Sequence, residues 1–150
     1  METLIGLPIV IYLFFQSWQI SDLLVAHLIL QRAALTAARA AIVVGPDDPR
    51  FYDDQRVDDL SGGLRREDVK SAAALVLGAM PAFRGAGFEV ELAGSFRKDE
   101  PLTATVKAEY RCSVSWLNAV CGGGPVRTMS ASAELPYQGA TFQYGDVNAQ

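Results

Sequence analysis

The residues that most often carry catalysis are scarce in this chain. It has one histidine, His27, among 150 residues. A nucleophilic triad or a multi-histidine metal centre needs histidine beside other reactive groups. His27 instead lies in a long run of helix-forming residues, which favours a packing or interface role. The glycines at 122–124 precede Pro125 rather than the Lys-Ser/Thr of a phosphate-binding loop. The sequence therefore predicts no enzymatic activity and no bound cofactor.

Three Asp-Asp pairs between Gly45 and Gly63 form the main concentration of potential metal ligands. They are Asp47-Asp48, Asp53-Asp54 and Asp58-Asp59. The alternating acidic spacing of a calcium-binding loop is absent. The favoured interpretation is a solvated acidic loop with turn and cap roles, without a metal.

Cys112 and Cys121 are the two cysteines of the chain. If this region lies outside the cytoplasm, a disulfide is expected, and closing so short a loop would stabilise the fold by roughly 2.5–3 kcal/mol. The alternative is a redox couple, which usually has two intervening residues and an electropositive setting. The closed loop would carry Trp116 and Leu117 as a candidate contact surface.

The first twenty residues are long and apolar enough to cross a bilayer. No side chain from Thr3 to Phe15 is charged, and the run continues through Trp18 and Ile20. A span needs roughly 17–25 such residues. A removable signal peptide is disfavoured, because the start Met1-Glu2 is acidic and no small-residue cleavage site follows.

The same helix is predicted to continue as an amphipathic rod until Gly45-Pro46 stops it. About 43 residues at 1.5 Å each give about 65 Å, and Pro8 is expected to kink the rod near its start. One predicted face repeats every three or four residues. Its members are Ile20, Leu23, Leu24, His27, Leu28, Gln31, Ala34, Leu35, Ala38 and Ile42.

The remaining chain predicts a small α+β domain. Residues 1–45 form the long helix, 46–63 an acidic Pro/Gly linker, and 64–150 a globular domain with one helix and an antiparallel sheet. The helix is expected over Leu64–Met80, with a hairpin turn over Phe96–Pro101. The strands are expected over Phe88–Leu92, Leu102–Trp116 and Val126–Leu135, the last two by their period-two alternation.

Composition excludes some broad classes of function. Half of the residues are apolar and the formal net charge is −4. A disordered chain has low hydrophobicity and high net charge, whereas a nucleic-acid-binding domain favours a basic face. The chain is therefore folded and is not expected to bind nucleic acid.

Glu2, Pro8 six positions later and the Ala/Arg-rich stretch Ala33–Ala41 together carry a family resemblance. The set resembles the type IV pilin class and within it the TadE-like proteins of tight-adherence pilus systems. In that class a short basic leader is removed ahead of the glutamate. The present sequence, with Glu2 second, either begins near a processed end or is processed differently.

The resemblance implies a structural subunit that polymerises through its N-terminal helix into an extracellular filament for surface attachment. It implies an inner-membrane location before assembly, with the globular domain outside, whereas Arg32 and Arg39 would by the positive-inside rule place that domain in the cytoplasm. Other copies of the chain, the pilus assembly machinery and a prepilin peptidase are the implied partners.

Within such a filament, the resemblance assigns Glu2 to pair with the N-terminal amine of a neighbouring copy and so to set the axial register, and it assigns Pro8 to assembly as well. The alternative from the residues alone is that Glu2 is a solvent-exposed terminal residue. Alanines at 33, 34, 37, 38, 40 and 41 would allow helices of different copies to approach closely. The residues expected in the core of the helix bundle are Leu4, Leu7, Ile11, Phe14, Phe15, Trp18, Leu24, Leu28 and Leu35.

Two alternatives stay open at this point. One is a low-abundance TadE-like minor pilin that primes assembly. The other is a single-pass, membrane-anchored accessory protein that never polymerises.

Overall fold

The computed structural model describes residues 2–94, 100–112, 121 and 124–137, with the backbone alone for residues 2–5. It confirms the α+β class, in which a long N-terminal helix precedes a second helix and a three-stranded antiparallel sheet. The elements are α1 (Glu2–Val44), α2 (Gly63–Leu77), β1 (Phe88–Gly94), β2 (Pro101–Arg111) and β3 (Val126–Pro136), with 3-10 turns at Pro49–Phe51 and Pro81–Phe83.

Helix α1 is one element of 43 residues, as its composition predicts, and it runs through Pro8. The kink expected at Pro8 stays a prediction. The helix ends at Val44, where the Gly45 amide still donates to the Ala41 carbonyl oxygen at 3.0 Å. Pro46 then stops it, since proline has no amide hydrogen to extend the ladder.

The sheet has strand order β1-β2-β3. Val90 of β1 and Ala131 of β3 both pair with Val106, which places β2 in the centre. Alternate residues of β2, from Leu102 to Tyr110, are buried, as period two predicts. The outer face is polar and carries an ion pair of 2.6 Å between Lys107 and Glu91. The predicted turn at 96–101 and the predicted extension of β2 from 113 to 116 fall largely or wholly outside the described residues.

The second half of α1 lies in the centre of the domain core, between α2 and the inner face of the sheet. Its buried face is made mainly of small side chains. The fully buried residues on that face are Gln19, Ala26, Leu30, Ala33, Ala34, Ala37, Ala38 and Ala41. Because alanine keeps the helix surface close to its axis, α2 and the strands approach α1 closely. The alanines thus allow close packing within the domain.

The face of α1 that is buried in the domain differs from the amphipathic face that the sequence pattern marks. Leu24, His27, Leu28 and Gln31 of that pattern are exposed, whereas Ala34 and Ala38 are buried. The assignment of Leu24 and Leu28 to a contact between copies stays a prediction. The larger apolar side chains point away from the domain, and the small alanine side chains allow close contact with it.

The acidic segment 46–63 is packed onto the domain. Tyr52 and Leu60 are buried, and the side-chain amide of Gln55 donates from Nε2 to the carbonyl oxygens of Asp59 and Gly62 at 2.9 and 2.7 Å. This segment therefore fixes the end of α1 against the start of α2.

Candidate assembly surface on the long helix

The first part of α1 projects from the domain with nearly all of its apolar side chains in the open. Leu7, Phe14 and Trp18 keep 63%, 62% and 61% of their surface exposed. Phe15 is half-buried, and its ring meets that of Phe14 edge-on with centroids 5.8 Å apart. A monomeric soluble protein rarely exposes so large a continuous apolar surface.

Polar residues on one face of α1 mark the level at which the domain begins to cover the helix. Gln19 is fully buried, and its side-chain amide donates to the Sγ of Cys121 at 2.9 Å. Three residues later, Asp22 accepts a hydrogen bond of 2.6 Å from the Tyr110 hydroxyl. These contacts attach the inner face of α1 to the sheet end that carries the disulfide.

The opposite face of α1 stays open beside the domain. Ile20, Leu24, Val25 and Leu28 are each about half exposed or more. Higher on the same side the arginines Arg32 and Arg39 are exposed as well. We call the exposed apolar side chains of Leu7–Trp18, together with Ile20, Leu24, Val25 and Leu28, the outer surface of α1.

This helix is long and apolar enough to span a membrane by length and composition. The qualifying stretch within the described residues is Gly6–Val44, and only 11% of its most apolar window is buried. A core helix of a soluble protein would be mostly buried instead. Residues 2–18 rise about 26 Å at 1.5 Å each, close to the roughly 30 Å of a bilayer core.

The predicted disulfide is present in the structure. Cys112 and Cys121 are bonded, with their Cα atoms 6.6 Å apart. Cys112 follows β2 directly, so the bond closes the loop at the end of the central strand beside Gln19. Trp116 and Leu117, proposed as a contact surface on that loop, lie outside the described residues.

The other predicted site residues divide into three groups. The side chains of Glu2 and Leu4 lie outside the described part of the chain. Pro8 is exposed within α1, and Leu35 is half-buried near the domain. The expected bundle residues that stand exposed on α1 are Leu7, Ile11, Phe14, Trp18, Leu24 and Leu28.

Arg65 fixes the other end of α1 and was not identified from the sequence. Its side chain is fully buried and donates to the main-chain carbonyl oxygens of Val44, Gly45 and Asp47, the last two at 2.7 and 2.9 Å. The guanidinium also lies 4.4 Å from the centre of the Tyr52 ring. A buried cation at a helix C-terminus is stabilised by the helix dipole and by the free carbonyl groups there.

Two tyrosines of this end have perturbed acidities. Burial, with the nearby Asp47 carboxylate, raises the pKa of Tyr52. Burial also raises the pKa of Tyr137 strongly, and the hydrogen bond of 2.8 Å from its hydroxyl to Asp58 adds to the effect. The Ser61 hydroxyl and amide lower the pKa of Asp59 by hydrogen bonding.

Gln19 and Asp22 were also missed, although the sequence held a signal for them. Gln16, Gln19 and Asp22 recur every three residues within a mainly apolar helix that also has Ser17 and Ser21 in this stretch. Such spacing places them on one helical face, and polar groups in an apolar helix face protein rather than lipid. Arg65 had no comparable signal, because Arg66 beside it has the same residue type and a different role.

The described residues contain no group of three or more His, Cys, Asp or Glu side chains placed to hold a metal ion. Comparison of the chain with protein-family models, with curated proteins and with solved structures finds no match in any of the three.

Proposed function

We propose that this protein is a structural pilin subunit that polymerises through α1 into an extracellular filament of the tight-adherence type, used for surface attachment. The observation that carries the proposal is the outer surface of α1. It is too apolar for water, and it extends beyond the segment that a bilayer would cover, along the side of a folded domain.

Two environments can cover such a surface in turn. Before assembly, lipid surrounds the projecting segment, which is exposed on nearly all sides. After extraction from the membrane, the same side chains pack against α1 of other copies. Burial of several hundred Å² of apolar surface per subunit, at about 25 cal/mol per Å², would contribute several kcal/mol at each step of the polymer.

The position of the domain fits this two-stage role. Gln19 and Asp22 attach one face of α1 to the sheet, so the domain is held on one side of the helix. The free side can then lie against neighbouring copies while the domains form the outside of the fibre. An interface between different surfaces that does not close on itself produces an open helical polymer.

Glu2 has a role in this proposal that follows from the cost of burying a charge. A carboxylate at the head of an apolar bundle needs a partner, and the N-terminal amine of a neighbouring copy would supply it. Glu2→Ala is then expected to leave the protein in the membrane while filament yield falls.

The test pairs two substitutions on the outer surface with a matched control. Leu24→Asn with Leu28→Asn places amides in the proposed helix contact, above the level at which the domain meets α1. We expect unchanged membrane retention and at least a tenfold loss of sheared 16 kDa filament protein. Leu75→Asn changes a leucine of α2 that is 81% exposed and should leave the yield unaffected.

The outcomes of this experiment distinguish the three candidate functions. Filaments at normal yield from the double variant would contradict the proposal. Wild-type protein that stays in the membrane without forming filaments would identify a single-pass anchor. A trace of the chain in filaments made mainly of another protein would identify a minor pilin.

A further inference from the structure

An exposed aromatic residue beside two aspartates forms a knob on the acidic segment. Phe51 ends the turn Pro49–Phe51 and is 74% exposed. Asp53 and Asp54 follow it, both exposed and both with positive φ angles of 52° and 58°. Tyr52 between them points inward onto Arg65. We call Phe51, Asp53 and Asp54 the knob.

Hydrogen bonds within the turn fix the backbone of the knob, and its two carboxylates point into solvent. The Asp48 carboxylate accepts from the Arg50 amide at 3.0 Å, and the Asp54 amide donates to the Pro49 carbonyl oxygen at 3.0 Å. Arg50 pairs with Asp48 at 3.5 Å. Within the described part of the chain, the carboxylates of Asp53 and Asp54 make no hydrogen bond or ion pair.

A groove of about 420 Å³ lies between the end of α1 and the end of β3. Its lining is apolar apart from one cation and consists of Arg39, Ile42, Val43, Leu135 and Pro136. Val43 is 70% exposed there. The Arg39 guanidinium is exposed and has no acidic partner among the residues that the structure describes.

We propose that the knob of one copy of this chain inserts into the groove of a neighbouring copy. The ring of Phe51 would lie against Ile42 and Val43, while the two carboxylates face Arg39. This inference rests on the proposed function, since both require copies to meet side by side.

Two kinds of complementarity favour a second copy as the occupant. The knob combines one large apolar side chain with two negative charges, and the groove combines an apolar floor with one positive charge. Protein–protein hot spots often place a large side chain in an apolar pocket, and the rim around such a pocket is polar. Arginine is also the cation best suited to bind carboxylates through paired hydrogen bonds.

The geometry also allows the proposed contact to repeat. Phe51 does not line the groove of its own chain, so knob and groove are separate surfaces of one subunit. A contact between two different surfaces leaves one knob and one groove free on every pair. The same contact can therefore propagate along a row of subunits beside the α1 contacts.

Photo-crosslinking of the full chain in phosphatidylcholine vesicles tests the location of the contact. Phe51→p-benzoylphenylalanine should give dimers whose crosslinked peptides contain residues 39–43 or 135–136. The same replacement at Leu75, an exposed leucine on α2, should give no crosslinks in those segments. Crosslinks from position 51 that map elsewhere, or none at all, would overturn the proposal.

Charge substitutions in the chain that carries p-benzoylphenylalanine at position 51 test whether Arg39 pairs with Asp53 and Asp54 of another copy. Arg39→Asp alone, and Asp53→Lys with Asp54→Lys, should each lower dimer yield about tenfold, which corresponds to about 1.4 kcal/mol. The triple variant should recover most of the yield. Arg32→Asp, an exposed arginine of the same helix outside the groove, is the control. Failure of the triple variant to recover, with melting temperatures unchanged, would reject the pairing.

These results separate the interface from the proposed function. If the crosslinks in vesicles map to the groove but cells form no filaments, the knob–groove contact stands and the filament function is rejected. If cells form normal filaments but the crosslinks map elsewhere, the filament function stands and the knob–groove contact is rejected.

Discussion

At the scale of single residues, Arg65 does most to fix how the parts of the chain meet. One buried guanidinium holds the last carbonyl groups of α1, the acidic segment and the ring of Tyr52. Sequence reasoning predicted the charged start of α2 but could not separate Arg65 from Arg66. That distinction depends on which side chain faces the end of α1, a tertiary property.

Arg65→Met is expected to lower the free energy of unfolding by about 3 kcal/mol or more. The substitution removes several hydrogen bonds from a charged donor, each contributing about 1.5–3 kcal/mol, and leaves buried carbonyl groups unpaired. Arg84→Met is the control, since Arg84 is exposed and makes one hydrogen bond of 3.2 Å to Gly78. Denaturant unfolding of both variants in detergent measures the difference. Equal free energies of unfolding for the two variants would show that the Arg65 hydrogen bonds do not stabilise the end of α1.

Tyr137 is expected to make the free energy of unfolding of the domain fall at alkaline pH. Its folded-state pKa lies above the unfolded value of about 10, so the unfolded chain loses the phenol proton first. The stabilisation is complete below about pH 10 and is lost as the pH rises above it.

Tyr137→Phe is therefore expected to flatten part of the decline in stability above pH 10. At neutral pH the variant should be less stable by about 1 kcal/mol, because the hydrogen bond to Asp58 is gone. Tyr52, whose pKa is also raised, would account for the slope that stays. Unfolding curves at several pH values check the prediction, and an unchanged slope would contradict it.

At the scale of elements, the sequence predicted what forms but not which face of α1 is buried. The long helix, the second helix and three strands follow from apolar periodicity, the Gly45-Pro46 stop and the alternation in β2 and β3. The buried face was missed because the pattern was weighted toward large apolar residues. Close packing of three layers selected alanine, and Leu24 and Leu28 were left outside.

Ala37→Leu is expected to destabilise the domain by about 1–3 kcal/mol. Ala37 is fully buried in the core, and an isobutyl group there would push α1 away from its neighbours or force strained rotamers. Ala79→Leu adds the same group at an exposed position after α2 and should change stability by about 0.5 kcal/mol at most. Melting temperatures of the two variants provide the measurement.

At the scale of the whole molecule, α1 has two parts with different surroundings. From Gln19 onward one face lies in the domain core, while no described side chain of residues 6–18 belongs to the buried set. The apolar run extending past Ile20 could not reveal this division, because the division depends on where Cys121 and Tyr110 contact the helix.

A chain that begins at residue 17 is accordingly expected to fold with nearly the full stability of the domain. It retains Gln19, Asp22 and every alanine of the buried face, and it loses the exposed apolar side chains of residues 7–14. It should leave the membrane fraction, whereas a chain beginning at residue 32 also loses Ala26 and Leu30 and should not fold. Melting midpoints from circular dichroism measure the stability of the two truncated chains, and sedimentation of membranes shows whether each chain stays in the membrane fraction. A midpoint for the longer truncation far below that of the full chain would mean that the projecting segment supports the core, and the two-part description of α1 would be wrong.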